Sequence, residues 1–214
     1  MNGEWLRSPQ EIERRSFEII TQEIGDRVLH PLHAPIIKRV IHTTADFSYL
    51  DILEFTENAV QSGIDALQRG ATIVTDTNMA LAGINKSALH ALHGRAICYM
   101  ADEKVARAAK QRETTRAAIS MEKICEIEGA VIVAVGNAPT ALLRLCELIE
   151  QGRVLPALIV GVPVGFVNVV ESKECLLKSG APAIVARGRK GGSNVAAAIC
   201  NALLYSLTRK ERDS

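Results

Sequence analysis

Five short aliphatic runs, at Ala71–Thr75, Ala96–Met100, Ala130–Val135, Ala157–Val160 and Ala183–Ala186, punctuate the second two-thirds of this sequence. Each is continuously apolar rather than alternating, the pattern of strands buried on both faces of a parallel sheet. Segments of helical pattern separate them: Lys86–Leu92, Asp102–Ile127 (in one piece or two, with a break near Gln111), Pro139–Gln151, Asn168–Lys178 and Ser193–Leu207. Alternation of strand and helix predicts crossover connections and helices on both sheet faces. Upstream, Ser8-Pro9-Gln10-Glu11 reads as a capping box with Pro at the first helical position. Phe17, Ile20 and Ile24 recur at helical spacing before Gly25. Ile36, Ile37, Val40 and Ile41 predict a short second helix that delivers His42, and Thr56–Arg69 a third, closed by Gly70. The expected fold class is therefore α/β: a single three-layer α/β/α domain over residues 1–214, with a mainly parallel central sheet and an N-terminal helical extension.

Charge and composition narrow the function. Lys and Arg number 25 and Asp and Glu 24, a net charge of +1, which excludes a generally basic nucleic-acid binder. Aromatic residues make up only 4%, which argues against a stacking platform for bases or a flat cofactor. Five cysteines, Cys98, Cys125, Cys146, Cys175 and Cys200, are odd in number and contain no C-x-x-C pair. They read as small hydrophobes within apolar helices and strands, in a reducing compartment, and not as disulfides, zinc ligands or nucleophiles. Val154–Val170 carries no charge, yet Pro156, Gly161, Pro163 and Gly165 interrupt it and it is short for a membrane span. Met1–Arg7 has no apolar run of a signal peptide. A cytoplasmic protein with no membrane or nucleic-acid partner is expected.

In parallel α/β folds ligands bind beyond the carboxyl ends of the strands. The last such loop has the strongest signal. Arg187, Arg189 and Lys190 bring positive charge, Gly188, Gly191 and Gly192 permit close backbone approach, and Ser193 is placed to cap a long apolar helix. Free N–H groups, dipole and charge converge on an anion site, either carboxylate or phosphate. An ordinary tight turn with solvated charges is the alternative, and the convergence of donors, dipole and charge puts the anion site ahead of it. Neither G-x-x-x-x-G-K-[ST] nor a G-x-G-x-x-G after the first strand is present, which disfavours a nucleotide enzyme.

His42, flanked by the donors Arg39 and Thr43, is a candidate general acid because imidazole titrates near neutrality, although for any single His a helix-end side chain interacting with backbone carbonyls is the reading that residue type alone favours. Asp76, at a strand end, could orient a ligand donor or His42, or cap the next helix. Arg116 opens a helix, where a cation opposes the dipole, and so hints at a ligand role. Asn137 is suited to cap the helix after Gly136. The pairs His30/His33 and His90/His93 have metal-ligand spacing, but no carboxylate or thiol completes a set, and surface histidines with no metal are expected. No G-x-S-x-G elbow occurs.

Several segments in order resemble the precorrin-8X methylmutase family of corrin biosynthesis, from about Pro9 to Leu207. These are Arg15-Ser16-Phe17, Arg39-Val40-Ile41-His42, Gly136-Asn137-Ala138-Pro139-Thr140-Ala141, Pro163-Val164-Gly165-Phe166-Val167, Glu171-Ser172-Lys173 and Gly188-Arg189-Lys190-Gly191-Gly192-Ser193. The stretches Ile36–Asp46 and Lys190–Ala198 look more like the cobalt-dependent, anaerobic-branch members. The resemblance implies an isomerase that moves a methyl group from C11 to C12 of precorrin-8 or cobalt-precorrin-8, giving hydrogenobyrinate or cobyrinate, with no cofactor. It places the catalytic histidine on His42, protonating the macrocycle to promote a 1,5-sigmatropic shift. It places substrate contacts on Ser16, Arg39, Thr43, Asp76, Arg116 and the loop Gly188, Arg189, Lys190, Gly191, Gly192 and Ser193. It also implies a homodimer with the site near the subunit interface, a corrinoid ligand, and hand-off to neighbouring pathway enzymes. A non-catalytic carrier of carboxylated tetrapyrroles would share the cationic loop and have no need of His42.

Overall fold

Six strands form one sheet in the order β1-β6-β5-β4-β2-β3. They are β1 (Leu53–Phe55), β2 (Thr72–Thr75), β3 (Arg95–Cys98), β4 (Val131–Val135), β5 (Leu158–Gly161) and β6 (Ala183–Ala186). The computed structural model describes residues 5–209. All neighbouring strands are parallel except β1, which runs antiparallel to β6 with Leu53 opposite Ala186 and Phe55 opposite Ile184. The five expected strands are found within one or two residues of their predicted ends. β1 was not expected: three residues with one glutamate carry no periodic signal, and it is pairing with β6 that makes them a strand.

The continuous apolar runs are explained by two cores. Ile73, Ile132, Leu158, Val160 and Ile184 face one side, and Val74, Val133, Val135, Ile159 and Val185 the other. Helices α1 (Pro9–Ile24), α2 (Ala34–Thr44), α4 (Ala59–Gln68) and α11 (Ser193–Thr208) cover the first face, with α3 (Tyr49–Ile52) leading into β1. On the other face lie α8 (Arg116–Glu122), α9 (Pro139–Glu150) and α10 (Val169–Lys178). This is the expected three-layer α/β/α arrangement, with α1 and α2 as the N-terminal helical extension.

Local differences have local causes. Two short helices, α5 (Asn78–Gly83) and α6 (Lys86–Ala91), follow β2, and only the second was expected. Thr77 caps α5 by accepting from the Ala80 N–H (3.1 Å), and Asn85 caps α6. The segment from 102 to 127 divides into α7 (Glu103–Gln111), α8 and a 3-10 turn, Lys123–Glu126. Its break lies just after Gln111, where Glu113 takes φ +50° and Thr115 recaps the chain through the Ala118 N–H. Ser8 precedes α1 but makes no side-chain cap, so the capping box is absent and Pro9 alone marks the start. Ser193 is likewise not the cap of α11. Gly192 holds that position, and the Ser193 hydroxyl instead pairs with that of Thr77 (2.8 Å). Cys125, on the 3-10 turn, is exposed, unlike the buried Cys146 and Cys200. No helix of the described residues is long and apolar enough to cross a membrane.

Candidate active site

A cleft of about 270 Å³ runs between α2, α5 and α11, lined by Arg39, His42, Thr43, Gly83, Asn194 and Tyr205, with Ala197, Ala198 and Asn201 along its floor. Helical spacing explains why α2 brings three of these together. Ile36, Ile37, Val40 and Ile41 form its buried stripe, which leaves Arg39, His42 and Thr43 on the rim. α2 ends at Ala45, whose left-handed backbone (φ 52°) donates its N–H to the Ile41 carbonyl. His42 thus stands in the last helical turn.

The His42 ring stacks on Phe17 of α1, with centroids 5.2 Å apart and planes 8° from parallel. Arg39 is held on three sides. Its guanidinium lies 4.6 Å from the Phe17 ring and 5.1 Å from the Tyr205 ring, and Nη1 donates to Glu13 Oε1 at 2.7 Å. Arg209 also pairs with Glu13 (3.1 Å) and covers the other part of the Tyr205 ring at 3.7 Å. Burial, and then the Arg39 charge, hold the His42 imidazole below its ordinary pKa, while Glu13 pulls it back up. Glu13 itself, despite its partial burial, is held below the usual carboxylate range by Arg39 and Arg209. The cleft therefore offers an imidazole tuned to give up a proton easily, next to a cation already oriented by a carboxylate.

The remaining predicted residues lie around this centre rather than in it. Ser16 and Thr43 turn their hydroxyls onto their own helices, donating to the Ile12 and Arg39 carbonyls at 2.7 and 2.9 Å. Asp76 is completely buried, and its carboxylate accepts from the backbone N–H groups of Gly136, Asn137 and Ala138 at 2.7–2.9 Å. Burial pushes this carboxyl above its ordinary pKa against the pull of those three donors. The visible work of Asp76 is thus to tie the loop after β2 to the loop after β4, where the strand order reverses. Asn137 contributes a backbone N–H to that tie, and Ala138 rather than Asn137 precedes α9. Arg116 is exposed at the first position of α8.

In the glycine loop the three predicted cations differ. Arg187 is tied to Glu54 and, at 2.7 Å, to Glu174. Lys190 donates to Asp46 (2.5 Å) and Ser48 (2.8 Å), and holds the Asp46 carboxyl down at about 2. Arg189 has no ion pair among the described residues and lies over the exposed Phe166 ring at 5.4 Å. Gly191 takes φ +153°, and a Cβ there would sit 2.1 Å from the Val162 carbonyl oxygen. Only glycine lets the loop pass over β5 this closely. Gly136 is equally constrained, since its Cβ would meet Ser193 Cα at 2.6 Å.

Phe17 entered from the sequence only as a helix-spacing and motif residue, and Glu13, Asn194 and Tyr205 were not singled out. A signal for the last two was present: 194, 197, 198, 201 and 205 mark one face of α11, and Asn194, Asn201 and Tyr205 are the polar positions of that face on a mostly apolar helix. Asn201 uses its amide structurally, accepting from the Asn85 N–H (2.7 Å) and donating to the Gly83 carbonyl (2.8 Å). His33 stacks on Phe55 at 3.9 Å, while His90 and His93 are exposed. Among the described residues no group of three or more His, Cys, Asp or Glu is placed to hold a metal ion.

Comparison with known proteins agrees across the chain. The family model for precorrin-8X methylmutase matches residues 11–206. A cobalt-precorrin-8 methylmutase of Salmonella typhimurium is 50% identical over 209 residues, 95% of this chain and 98% of that protein. A precorrin-8X methylmutase of Pseudomonas aeruginosa is 40% identical, covering 94% and 97% of the two chains. The crystal structure of a precorrin-8X methylmutase from Thermus thermophilus superposes with a TM-score of 0.83 at 40% identity, over 90% of this chain and 95% of that one. With its α/β/α fold and a match running almost from end to end, this chain belongs to the precorrin-8X methylmutase family of isomerases.

Proposed function

We propose that this protein moves a methyl group from C11 to C12 of precorrin-8 or cobalt-precorrin-8, yielding hydrogenobyrinate or cobyrinate, with His42 as the proton donor. The observation that carries this reading is the placement of His42 in the cleft beside Arg39, stacked on Phe17, within a full-length family match. A migration within one molecule needs neither a nucleophile nor a methyl donor. It needs a proton delivered to the macrocycle and a site that holds the ring. An imidazole with a lowered pKa gives up its proton readily. Arg39 supplies a charge that suits a carboxylate arm of the substrate. Binding that arm also offsets the cation's effect on His42 and so favours the protonated ring just when it is needed.

Ser16, Thr43, Asp76, Arg116 and the Gly188–Ser193 loop enter this proposal as a surrounding shell for the other carboxylates. For Asp76 the contribution is indirect, through the loops it ties. No cofactor or metal enters the reaction, and a homodimer handing its product to the next pathway enzyme in the cytoplasm is the working arrangement.

The test is to mix the purified protein with cobalt-precorrin-8 and follow the visible spectrum. Isomerisation changes the conjugation, so absorbance should evolve over many turnovers, whereas a carrier gives one stoichiometric shift. His42→Ala should retain binding and lose roughly 10²–10⁴-fold in turnover, the usual worth of general acid catalysis. Near-normal turnover by that variant would remove His42 from the mechanism.

A further inference from the structure

Lys173 of α10 is the most deeply buried cationic side chain among the described residues, only 1% exposed, and no carboxylate pairs with it. Its ammonium donates instead to two backbone carbonyls, those of Gly188 and Lys190, both at 2.8 Å. Burying a cation this way is costly, and burial alone lowers its pKa to about 8. A methionine would fill the same volume more cheaply, so the charge calls for an account beyond packing.

Peptide geometry supplies one. Every peptide bond among the described residues is trans, so each C=O points opposite to the N–H that follows it. Turning the 188 and 190 carbonyls inward to Lys173 turns the Arg189 and Gly191 N–H groups outward. Neither N–H has a backbone or side-chain partner among the described residues. The carbonyl between them, that of Arg189, accepts from the Gly165 N–H (3.2 Å), and the Gly192 N–H is anchored on the Val162 carbonyl (2.9 Å). The loop is therefore fixed on its inner side and offers donors on its outer side, beside the unpaired Arg189 guanidinium.

We propose that Lys173 is a positioning residue: it shapes the Gly188–Gly191 segment into a carboxylate-binding loop, whose donors are the Arg189 and Gly191 N–H groups and the Arg189 side chain. The identity of the ligand, a carboxylate arm of the corrinoid, rests on the function proposed above. The buried ammonium has no counter-charge of its own, and an anion seated on the loop supplies one from the far side. Lys173 acts through the loop and touches no substrate.

The experiment uses cobyrinate as the probe and compares the intact protein with K173M, which keeps length and loses charge and donors. Dissociation constants come from visible titration, and turnover from saturating cobalt-precorrin-8. K173M should bind roughly tenfold or more weakly, as for loss of a charge-assisted contact, and its binding should fall by a larger factor than its saturated turnover. Unchanged binding in a folded K173M overturns the proposal, as does an equal loss of binding and turnover, which marks a general collapse of the fold. Should K173M not fold, amide hydrogen exchange on the intact protein decides. Cobyrinate should protect the 187–192 segment, and binding without such protection overturns the loop assignment. Binding and protection without isomerisation would sink the methylmutase reading while leaving the loop in place. No binding of cobyrinate at all would sink both.

Discussion

At the scale of single residues, the candidate site is a balance of charges around His42. Arg39 lowers its pKa and Glu13 raises it, after burial has set the direction. If His42 delivers a proton, the free enzyme is active only while the imidazole is protonated. The kcat/KM profile should then fall as pH rises through a midpoint below the ordinary histidine value of 6.5. Glu13→Gln removes the one influence that raises the pKa and also releases Arg39 from its 2.7 Å partner. Its midpoint should move to lower pH, with a loss of kcat/KM at pH 7. Arg39→Gln removes a cation and should move the midpoint to higher pH while weakening substrate binding. The pair of pH profiles checks this, and shifts in the same direction would mean that His42 is not the titrating acid.

At the scale of elements, the loops between strands and helices decide the architecture of the site. Asp76 receives three backbone N–H groups from the loop that leads into α9, of which the Gly136 donor is buried and those of Asn137 and Ala138 are partly so. Asp76→Ala should therefore cost about 2 kcal/mol, since the buried Gly136 donor left without a partner costs roughly 1–3 kcal/mol and the two part-buried donors, which water can reach, cost less. For a chain of this length that is a fall in melting temperature of roughly 4–8 °C, readable by calorimetry. A melting temperature within a degree or two of the parent would mean that the tie is dispensable. The same elements show what was legible in the sequence. Four of the five parallel strands were readable because burial on both faces writes itself as continuous apolar runs, and the half-exposed edge strand β3 was readable from its short aliphatic run alone. β1 was not, because Leu53–Phe55 becomes a strand only by pairing with β6, a partner far along the chain, with Leu53 opposite Ala186. The break after Gln111 depends on Thr115 recapping the chain, and α5 on the Thr77 cap. Both are side-chain bonds that a polar residue in sequence advertises only weakly. His42 and Arg39 were legible because α2 has a clean amphipathic pattern. Glu13 was not, because its importance comes from a contact between two helices.

At the scale of the whole molecule, size is the decisive quantity. The cleft beside His42 is about 270 Å³, below the roughly 300–1,000 Å³ of pockets that enclose drug-sized ligands. A tetrapyrrole bearing carboxylate arms is larger than such ligands, so one chain offers it a wall and not an enclosure. Yet a reaction that depends on a delivered proton gains from excluding water. A second copy of the chain is the occupant that the family resemblance suggests, and the surface has apolar material for it. Phe166 and Val167 are 81% and 76% exposed in the loop after β5, beside Arg189, and Met79 is 72% exposed at the start of α5. Sedimentation velocity should accordingly give twice the chain mass of 23.2 kDa. Placing a charge on this exposed apolar loop, as in Phe166→Asp, should shift the equilibrium towards the single chain. If the second copy completes the enclosure, turnover per chain should decline with dilution in step with the fraction of dimer, and more steeply for Phe166→Asp than for the parent. A single chain that keeps full turnover at every concentration would show that the wall formed by α2, α5 and α11 is sufficient alone, and that the substrate reacts while still open to water.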